Sequence, residues 1–549
     1  MSELTRGMLA AAASSPKQLT AGAFSDPTRL SWQEVHERAT RMATGLAAQG
    51  VGHHGSVAVL ASDAAHVAPL AQALWLRRAA LTMLQQPTPR TDLGVWLADT
   101  VRAIRTIKAD LVVVGEPFLE VVDRLADHDL AACTIEALSD NAAAAPGSFD
   151  DADESDIALR QLTSGSTGAP KAVEISHGNL AANAVAARDG LDLNADTDVM
   201  ASWLPLAHDM GMIGFICLPM QVGIEAVVVP PHEFLTRPLS WAELISRHRA
   251  TITAGPNFAY SVLARVLQRA EPNDIDLSSL RVAVNGAEPI DHRDVADFAA
   301  VGARFGLRPT AMMPAYGLAE ATLVVSLASA HEEPLVDRVS RRTMSEARRA
   351  QPVHGAPEDP EDVRHLVSLG SPAMGMDVRI VRDGIPQAPR EIGAIELRGP
   401  AVAKSYITSD GVMPLASADG WFDSGDLGYV DERGRIYVCG RTKDLIVLAG
   451  RNLYPHDIER AAEDVDGVRT GCVIALRIDG DREGFAVLAE VRDADDDDRA
   501  ARISRDITAR VSRRVGHLPS EVRLFPAGTL PKTSSGKLRR SCARKLLEK

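Results

Sequence analysis

The sequence predicts an α/β protein. It has a large N-terminal domain of doubly wound sheets with a small β-rich subdomain, then a small α+β C-terminal domain. The first observation behind this is an alternation along the 549 residues of short apolar runs, bounded by polar residues, with amphipathic stretches. Strands buried on both faces with helices between them read this way. The second is a change near residue 368 to short strand-like pieces split by Asp-Gly and Arg-Gly turns. The third is length, since domains of ~100–200 residues make a chain of this size more than one unit.

In chain order, residues 32–49 put Val35, Ala39, Met42, Leu46 and Ala47 on one helical face. Residues 56–61 (SVAVLA), 110–114 (DLVVV) and 225–229 (EAVVV) read as buried strands. Residues 141–155 are small, acidic and Pro/Gly-bearing, a linker ahead of a strand at 157–163 and a helix over 176–187. Pieces at 376–380, 393–397 and 435–438 build the β-rich subdomain. The last unit holds a helix from 455, strands near 472–476 and 486–491, and a helix over about 498–515. The acidic run 493–498 reads as a solvated turn. No internal repeat is visible. The expected domains are 1–443, with the β-rich part about 368–443, and 444–549.

Composition narrows the function. Apolar residues at 46% and charged residues at 24% are those of a globular protein with ample core. A net charge of -14 argues against general nucleic-acid binding, which needs a basic face to displace counterions. The cysteines at 133, 217, 439, 472 and 542 form no CxxC pair, so neither a zinc site nor a disulfide framework is expected. Lys17 interrupts an N-terminal stretch that lacks a signal-peptide core, and no run approaches the ~18 apolar residues of a membrane span. These features predict a cytoplasmic protein.

Residues 161–171 (QLTSGSTGAPK) lie between a strand-like and a helix-like segment. Hydroxyls, glycines that allow close backbone approach, and Lys171 suit a polyphosphate. Pro170 breaks the Walker A pattern. Alone, the segment also fits a Ser/Gly-rich surface turn. NGAEP at 285–289 ends a strand-like run, where α/β folds bind ligands. YGLAE at 316–320 offers an aromatic face and a carboxylate, and WFDSGDL at 421–427 offers Asp426 for sugar hydroxyls. Taken singly, Tyr316 fits a core aromatic, and Glu320 and Asp426 fit solvated or capping carboxylates.

Together with GRTKD (440–444) and PKTSSGK (531–537), these segments resemble, in order, the signature motifs of the adenylate-forming superfamily. Acyl-CoA synthetases, peptide-synthetase adenylation domains and luciferases belong to it. The resemblance runs from about Leu30 to the C-terminus. It implies that Thr163, Ser164, Gly165, Ser166, Thr167, Gly168 and Lys171 hold the phosphates of ATP. Gly286, Ala287 and Glu288 would line the adenine, with Tyr316 and its neighbour Gly317 against it. Glu320, with Thr167, would hold Mg²⁺. Asp426 and Arg441 would hold the ribose, Lys443 would mark the hinge of a mobile C-terminal domain, and Lys537 would be the catalytic lysine of that domain. Such a set suits the chemistry. A carboxylate substrate is already ionised near neutral pH and needs no general base. The obstacle is anion approaching anion, about 4 kcal/mol at ~4 Å and an effective dielectric near 20. A cation and Mg²⁺ offset it. Lys537 alone would read as a solvated lysine of a tail rich in Arg539, Arg540, Arg544 and Lys545.

Residues 202–211 (SWLPLAHDMG) contribute His208, expected by motif position to reach a carboxylate or α-phosphate and otherwise fitting a structural histidine, and Trp203 as a pocket wall. The uncharged run 212–220 (MIGFICLPM) fits an acyl channel containing Met212, Gly214 and Ile216, and equally an ordinary buried helix. With NGAEPI, YGLAEATL and GRNLYPHDIE (450–459), it is most similar to the fatty-acyl-AMP ligase branch. That branch passes the acyl group to the phosphopantetheine thiol of an acyl carrier protein, or of a polyketide or peptide synthetase carrier domain, not to free CoA. Ala207 and Leu453 depart from its usual aromatic and histidine. The polar stretch 334–364 matches an insertion that, in the branch, hinders the domain rotation needed for CoA chemistry. Its Pro and charge content also fits a disordered surface loop. The expected reaction is ATP-dependent activation of a fatty acid to acyl-AMP, then transfer to a carrier. A fatty-acyl-CoA ligase and a non-catalytic nucleotide-binding scaffold are the alternatives.

Overall fold

Apolar runs too short for helices pair into two large sheets. The computed structural model describes the chain except residues 88–90, 141–150, 164–169, 272, 479–482, 493–495, 533–537 and 548–549. One sheet has nine strands. Its parallel centre runs Met312–Gly317, Val282–Asn285, Ile252–Gly255, Val199–Ser202, Glu225–Val228 and Gln18–Ala23, with antiparallel strands at both edges. The other has eight, with parallel strands Ala80–Met83, Ser56–Leu60, Leu111–Val114 and Ala132–Thr134 on one side of Ile157–Thr163. On its other side lie Lys171–Ser176, Ser405–Thr408 and Gly411–Pro414, all antiparallel. Helix Ala64–Leu76 touches strands of both sheets and buries every residue except His66, as a helix apolar all round must.

Helix Trp32–Ala48 starts at a capping box in which Ser31 accepts from the Glu34 backbone and Glu34 from that of Ser31. Val35, Ala39, Met42 and Leu46 are buried as expected, but Ala47 is exposed and Ala43 and Gly45 take its place. A Cβ on Gly45 would lie 2.1 Å from the Leu138 carbonyl, so the glycine sets how closely the helix packs there. Ser176 caps the helix His177–Gly190 in the same way through Asn179.

Beyond the large sheets, Asp377–Arg382, Gly393–Arg398, Phe422–Val430 and Ile436–Arg441 form an antiparallel sheet with a short edge strand. Helices Pro455–Glu463 and Asp497–Val515 pack on the sheet Val468–Ile478, Gly484–Val491 and Glu521–Phe525. A core of its own, with Ile458, Phe485, Val487 and Ile507, holds this smaller unit together. Asp496 caps its second helix by accepting from the Arg499 backbone, so the acidic run is partly a helix start. The disordered-loop alternative for 334–364 is overturned. Strands Val336–Ser340 and Val363–Val367 pair antiparallel around helix Arg341–Ala347. Among the described residues, no helix is long and apolar enough to cross a membrane.

Candidate active site

Parallel neighbours Val199–Ser202, Ile252–Gly255 and Val282–Asn285 end side by side, and the turns that follow them line one cleft. Trp203, Pro205 and His208 come from the first turn, Pro256 from the second and Ala287 from the third, with Met210 completing the wall. This is the carboxyl end of the sheet, where open α/β folds bind ligands. Ala287 takes a left-handed φ of 70°, which turns the chain sharply at that point. Next to it, a Cβ on Gly286 would sit 3.1 Å from the Ala315 carbonyl.

Charged side chains gather in two linked sets. In the first, Asp426 and Arg441 stand directly opposite on antiparallel strands, which brings Arg441 Nε to 3.2 Å from Asp426 Oδ1. The Tyr316 hydroxyl donates to Asp426 Oδ2 at 2.7 Å. Burial pushes the Asp426 carboxyl above its ordinary range, while Arg441 and Tyr316 pull it back. In the second, Glu320 sits on the turn Ala319–Ala321 and accepts at 2.8 Å from the Tyr406 hydroxyl. Lys171 Nζ lies 3.6 Å above the Tyr406 ring. The register explains this, because Tyr406 pairs with Val173 and meets Lys171 on the diagonal of the same face. Burial lowers the Lys171 pKa, Glu320 opposes that shift and Lys443 adds to it. Glu320 also acts electrostatically on Asp426, so the two sets lie near each other.

Of the residues singled out in the sequence, Ser164, Gly165, Ser166, Thr167, Gly168 and Lys537 lie outside the described residues. Thr163 and Lys171 are partners at the ends of their antiparallel strands. Tyr316, Gly317, Glu320, Asp426, Arg441 and Lys171 come together, with Lys443 on the turn Thr442–Asp444 just after Arg441. Glu288 accepts from the Phe258 backbone at 2.6 Å, capping the helix Asn257–Leu267, so its side chain is already committed. His208 Nδ1 is 3.1 Å from Asp209 Oδ1. Trp203 is buried against Phe234, ring centroids 3.9 Å apart. Met212 and Ile216 face the core, whereas Met210 faces the cleft. Sequence reasoning missed Tyr406. No motif marks it, and only the pairing of distant strands places it under Lys171 and against Glu320. Where Ala207 departs from the aromatic pattern, its carbonyl accepts from Gln161 at 2.9 Å and Gln85 at 3.4 Å. Leu453 is buried in the core of the smaller unit.

The arrangement fits a magnesium-bound nucleotide. Thr163 Oγ1 is shielded from solvent with no partner among the described residues, at the end of the strand that leads into 164–169. Glu320 is an oxygen donor of the kind a hard cation prefers, and Lys171 is a cation of the kind that suits a phosphate. A profile of the AMP-binding enzyme family matches residues 9–407. A Mycobacterium tuberculosis protein named "Putative ligase Rv1013" is 46% identical over 98% of this chain and 99% of its own. The medium-chain-fatty-acid–[acyl-carrier-protein] ligase JamA of Moorena producens is 35% identical over 71% of this chain and 68% of its own. Among solved structures, one from work on fatty acyl-adenylate ligases of E. coli and L. pneumophila superposes with a TM-score of 0.89 at 28% identity, covering 100% of this chain and 97% of that one.

Proposed function

Because the chain belongs to the AMP-binding enzyme family, an adenylate-forming ligase fold, we propose that it activates a fatty acid with ATP to acyl-AMP and pyrophosphate, then passes the acyl group to the phosphopantetheine thiol of an acyl carrier protein. One observation carries the adenylation step. Lys171, Glu320 and Tyr406 come together, as do Asp426, Arg441 and Tyr316, and Ala315 next to Tyr316 lies against Gly286, the neighbour of the cleft residue Ala287.

In this reading Asp426 and Arg441 take the ribose hydroxyls, and Tyr316 holds Asp426 in place through its 2.7 Å bond. The turn at Gly286 and Ala287 lines the adenine with its backbone, since the Glu288 carboxylate is engaged elsewhere. Lys171 and the 164–168 hydroxyls and amides hold the β- and γ-phosphates. Glu320 holds Mg²⁺, with Thr167 as its second oxygen donor, and the ion when bound neutralises phosphate charge. The acid's carboxylate lies in the cleft near His208 and attacks the α-phosphorus as pyrophosphate leaves. Lys537 approaches from the C-terminal domain and stabilises charge on the α-phosphate. Such preorganised donors are each worth on the order of 10²–10³ in rate.

Support for a carrier rather than CoA comes from the folded segment 336–367. Arg341 and Arg364 reach Asp457 of the smaller unit at 2.6 and 3.2 Å, and Arg451 reaches Glu346 at 2.7 Å. These bonds resist rotation of that unit against the main body. The substrate class draws support from JamA, named for medium-chain fatty acids. Purified protein incubated with ATP, Mg²⁺ and dodecanoic acid tests both steps. Acyl-AMP formation, with acyl transfer to holo carrier protein and none to CoA, is expected. Acyl-CoA formation would overturn the acceptor, and no acid-dependent pyrophosphate exchange would overturn the enzyme.

A further inference from the structure

Two histidines and a buried carboxylate meet far from the cleft. His53 and His54 sit in the turn between helix Trp32–Ala48 and strand Ser56–Leu60. Asp156 directly precedes strand Ile157–Thr163, whose far end is roughly 20 Å away at ~3.3 Å per residue. Neighbouring side chains on an extended chain point to opposite sides. A left-handed φ of 65° at His54 undoes this, and the two rings stack with centroids 3.6 Å apart. The backbone fixes the turn: His54 donates to the Arg78 carbonyl at 3.0 Å and Gly55 to that of Gly52 at 2.9 Å. Both rings are exposed, whereas Asp156 is 4% exposed.

An ionised carboxylate offers about four lone-pair sites. The surrounding fold takes three of those on Asp156. Arg78 Nε donates to Oδ2 at 2.7 Å and its Nη2 to Oδ1 at 3.2 Å, while the Asp153 amide donates to Oδ2 at 2.8 Å. The fourth faces His53 Nε2, 3.2 Å from Oδ1. One nitrogen from each ring and one Asp156 oxygen lie within 4.8 Å of one another, the only such grouping of three among the described residues. With ligand bonds of ~2.0–2.1 Å, the 3.2 Å between His53 Nε2 and Asp156 Oδ1 subtends about 100° at a metal, near the tetrahedral angle.

We propose that His53, His54 and Asp156 bind Zn²⁺, with water as the fourth ligand. The ion takes the place of the proton between His53 Nε2 and Asp156 Oδ1. Two imidazoles and a carboxylate suit zinc, whereas Mg²⁺ takes oxygen, so this site is separate in place and in chemistry from Glu320. Arg78 and the Asp153 amide orient the carboxylate, as outer partners of metal ligands do. Arg78 also repels the cation, which keeps the site weaker than a buried structural one. Zinc here clips the 50–55 turn to the start of strand Ile157–Thr163.

The test titrates chelator-treated protein with ZnCl₂ by calorimetry, with excess Mg²⁺ present to fill oxygen sites. The wild type should bind Zn²⁺, and Zn²⁺ should raise its melting temperature. His53→Ala and His54→Asn should each weaken that binding about tenfold or more, since losing even an outer partner of a ligand costs that much, and should remove most of the melting shift. Asparagine tolerates a left-handed φ, so His54→Asn keeps the turn. Metal-free thermal unfolding checks that each variant folds. A wild type that binds no Zn²⁺, or a zinc affinity and melting shift unchanged in either variant, would overturn the site.

Discussion

Two regions of this molecule use the same side chains for opposite ends. Where the smaller unit meets the main body, Asp457 is 8% exposed and both its oxygens are taken, by Arg341 and Arg364. Arg460, on the same helix as Asp457, reaches Asp291 of the main body at 2.5 Å. Beside the cleft, Arg441 is 58% exposed, Glu320 has a tyrosine hydroxyl as its described donor, and Lys171 rests on a ring. At the first region each carboxylate is answered by guanidinium groups held in place by the fold. At the second, Lys171, Lys443 and Arg441 stand against two carboxylates, Glu320 and Asp426, and Arg441 is largely open to solvent. A buried charge without a partner is costly, so the seam is built for structure. The surplus at the cleft is tolerable only near solvent and is available to a polyanion.

The sharpest way to break this contrast is Asp457→Ala. It strands two buried guanidinium groups and should destabilise the protein by about 3–5 kcal/mol in urea unfolding. A pH series sharpens it. Burial works against the Asp457 charge, but Arg341 and Arg364 win and hold its pKa down at about 2. The folded value lies below the ordinary ~3.9, so the stabilisation is full above that value and is lost as pH falls toward 2. Asp457→Asn should show much less of this acid sensitivity. Equal acid sensitivity in both proteins would show that Asp457 is not the source.

Glu320→Gln should do the reverse, lowering acyl-AMP formation by about 10²–10³ with little change in unfolding midpoint. Lys537→Ala belongs in the same range. A large drop in melting temperature for Glu320→Gln would mean that its carboxylate serves the fold and not the reaction. A smaller effect is expected of Asp426→Asn, whose lost charge should raise KM for ATP about tenfold, or 1.4 kcal/mol, in steady-state kinetics. An unchanged KM for ATP would remove Asp426 from the nucleotide site.

The contrast also divides what the sequence could tell. Buried strands such as Ser56–Leu60 were legible because their residues are apolar wherever they sit, and helix Trp32–Ala48 because its apolar face is a local pattern. Glu320, Asp426 and Arg441 were singled out only through the motifs around them. The seam was not legible, since nothing local distinguishes Arg341 or Asp457 from solvated charges. The folded state of 336–367 was hidden for the same reason. Its apolar side chains are few, and Val339 and Met344 are buried against residues nearly a hundred positions away, Tyr429 and Tyr437. Ala47 failed because 3.6-residue periodicity gives a stripe but not its edges.

Tyr406→Phe is the finest probe of the comparison, because it removes one hydroxyl and leaves the ring. The ring still supports Lys171, so phosphate binding should change little. The hydroxyl holds Glu320 at 2.8 Å, and burial, together with Glu320, keeps it protonated by raising its pKa far above the ordinary tyrosine value. It is therefore a permanent donor across the working pH range. Losing it frees Glu320 without exposing a new buried charge, since that carboxylate is itself only half-buried. A net hydrogen bond of about 1 kcal/mol corresponds to roughly fivefold in rate. Acyl-AMP formation should fall by that factor, with a raised requirement for Mg²⁺ and an unchanged melting temperature. If the Mg²⁺ requirement stays fixed while the melting temperature falls, Tyr406 belongs with the seam and not with the cleft.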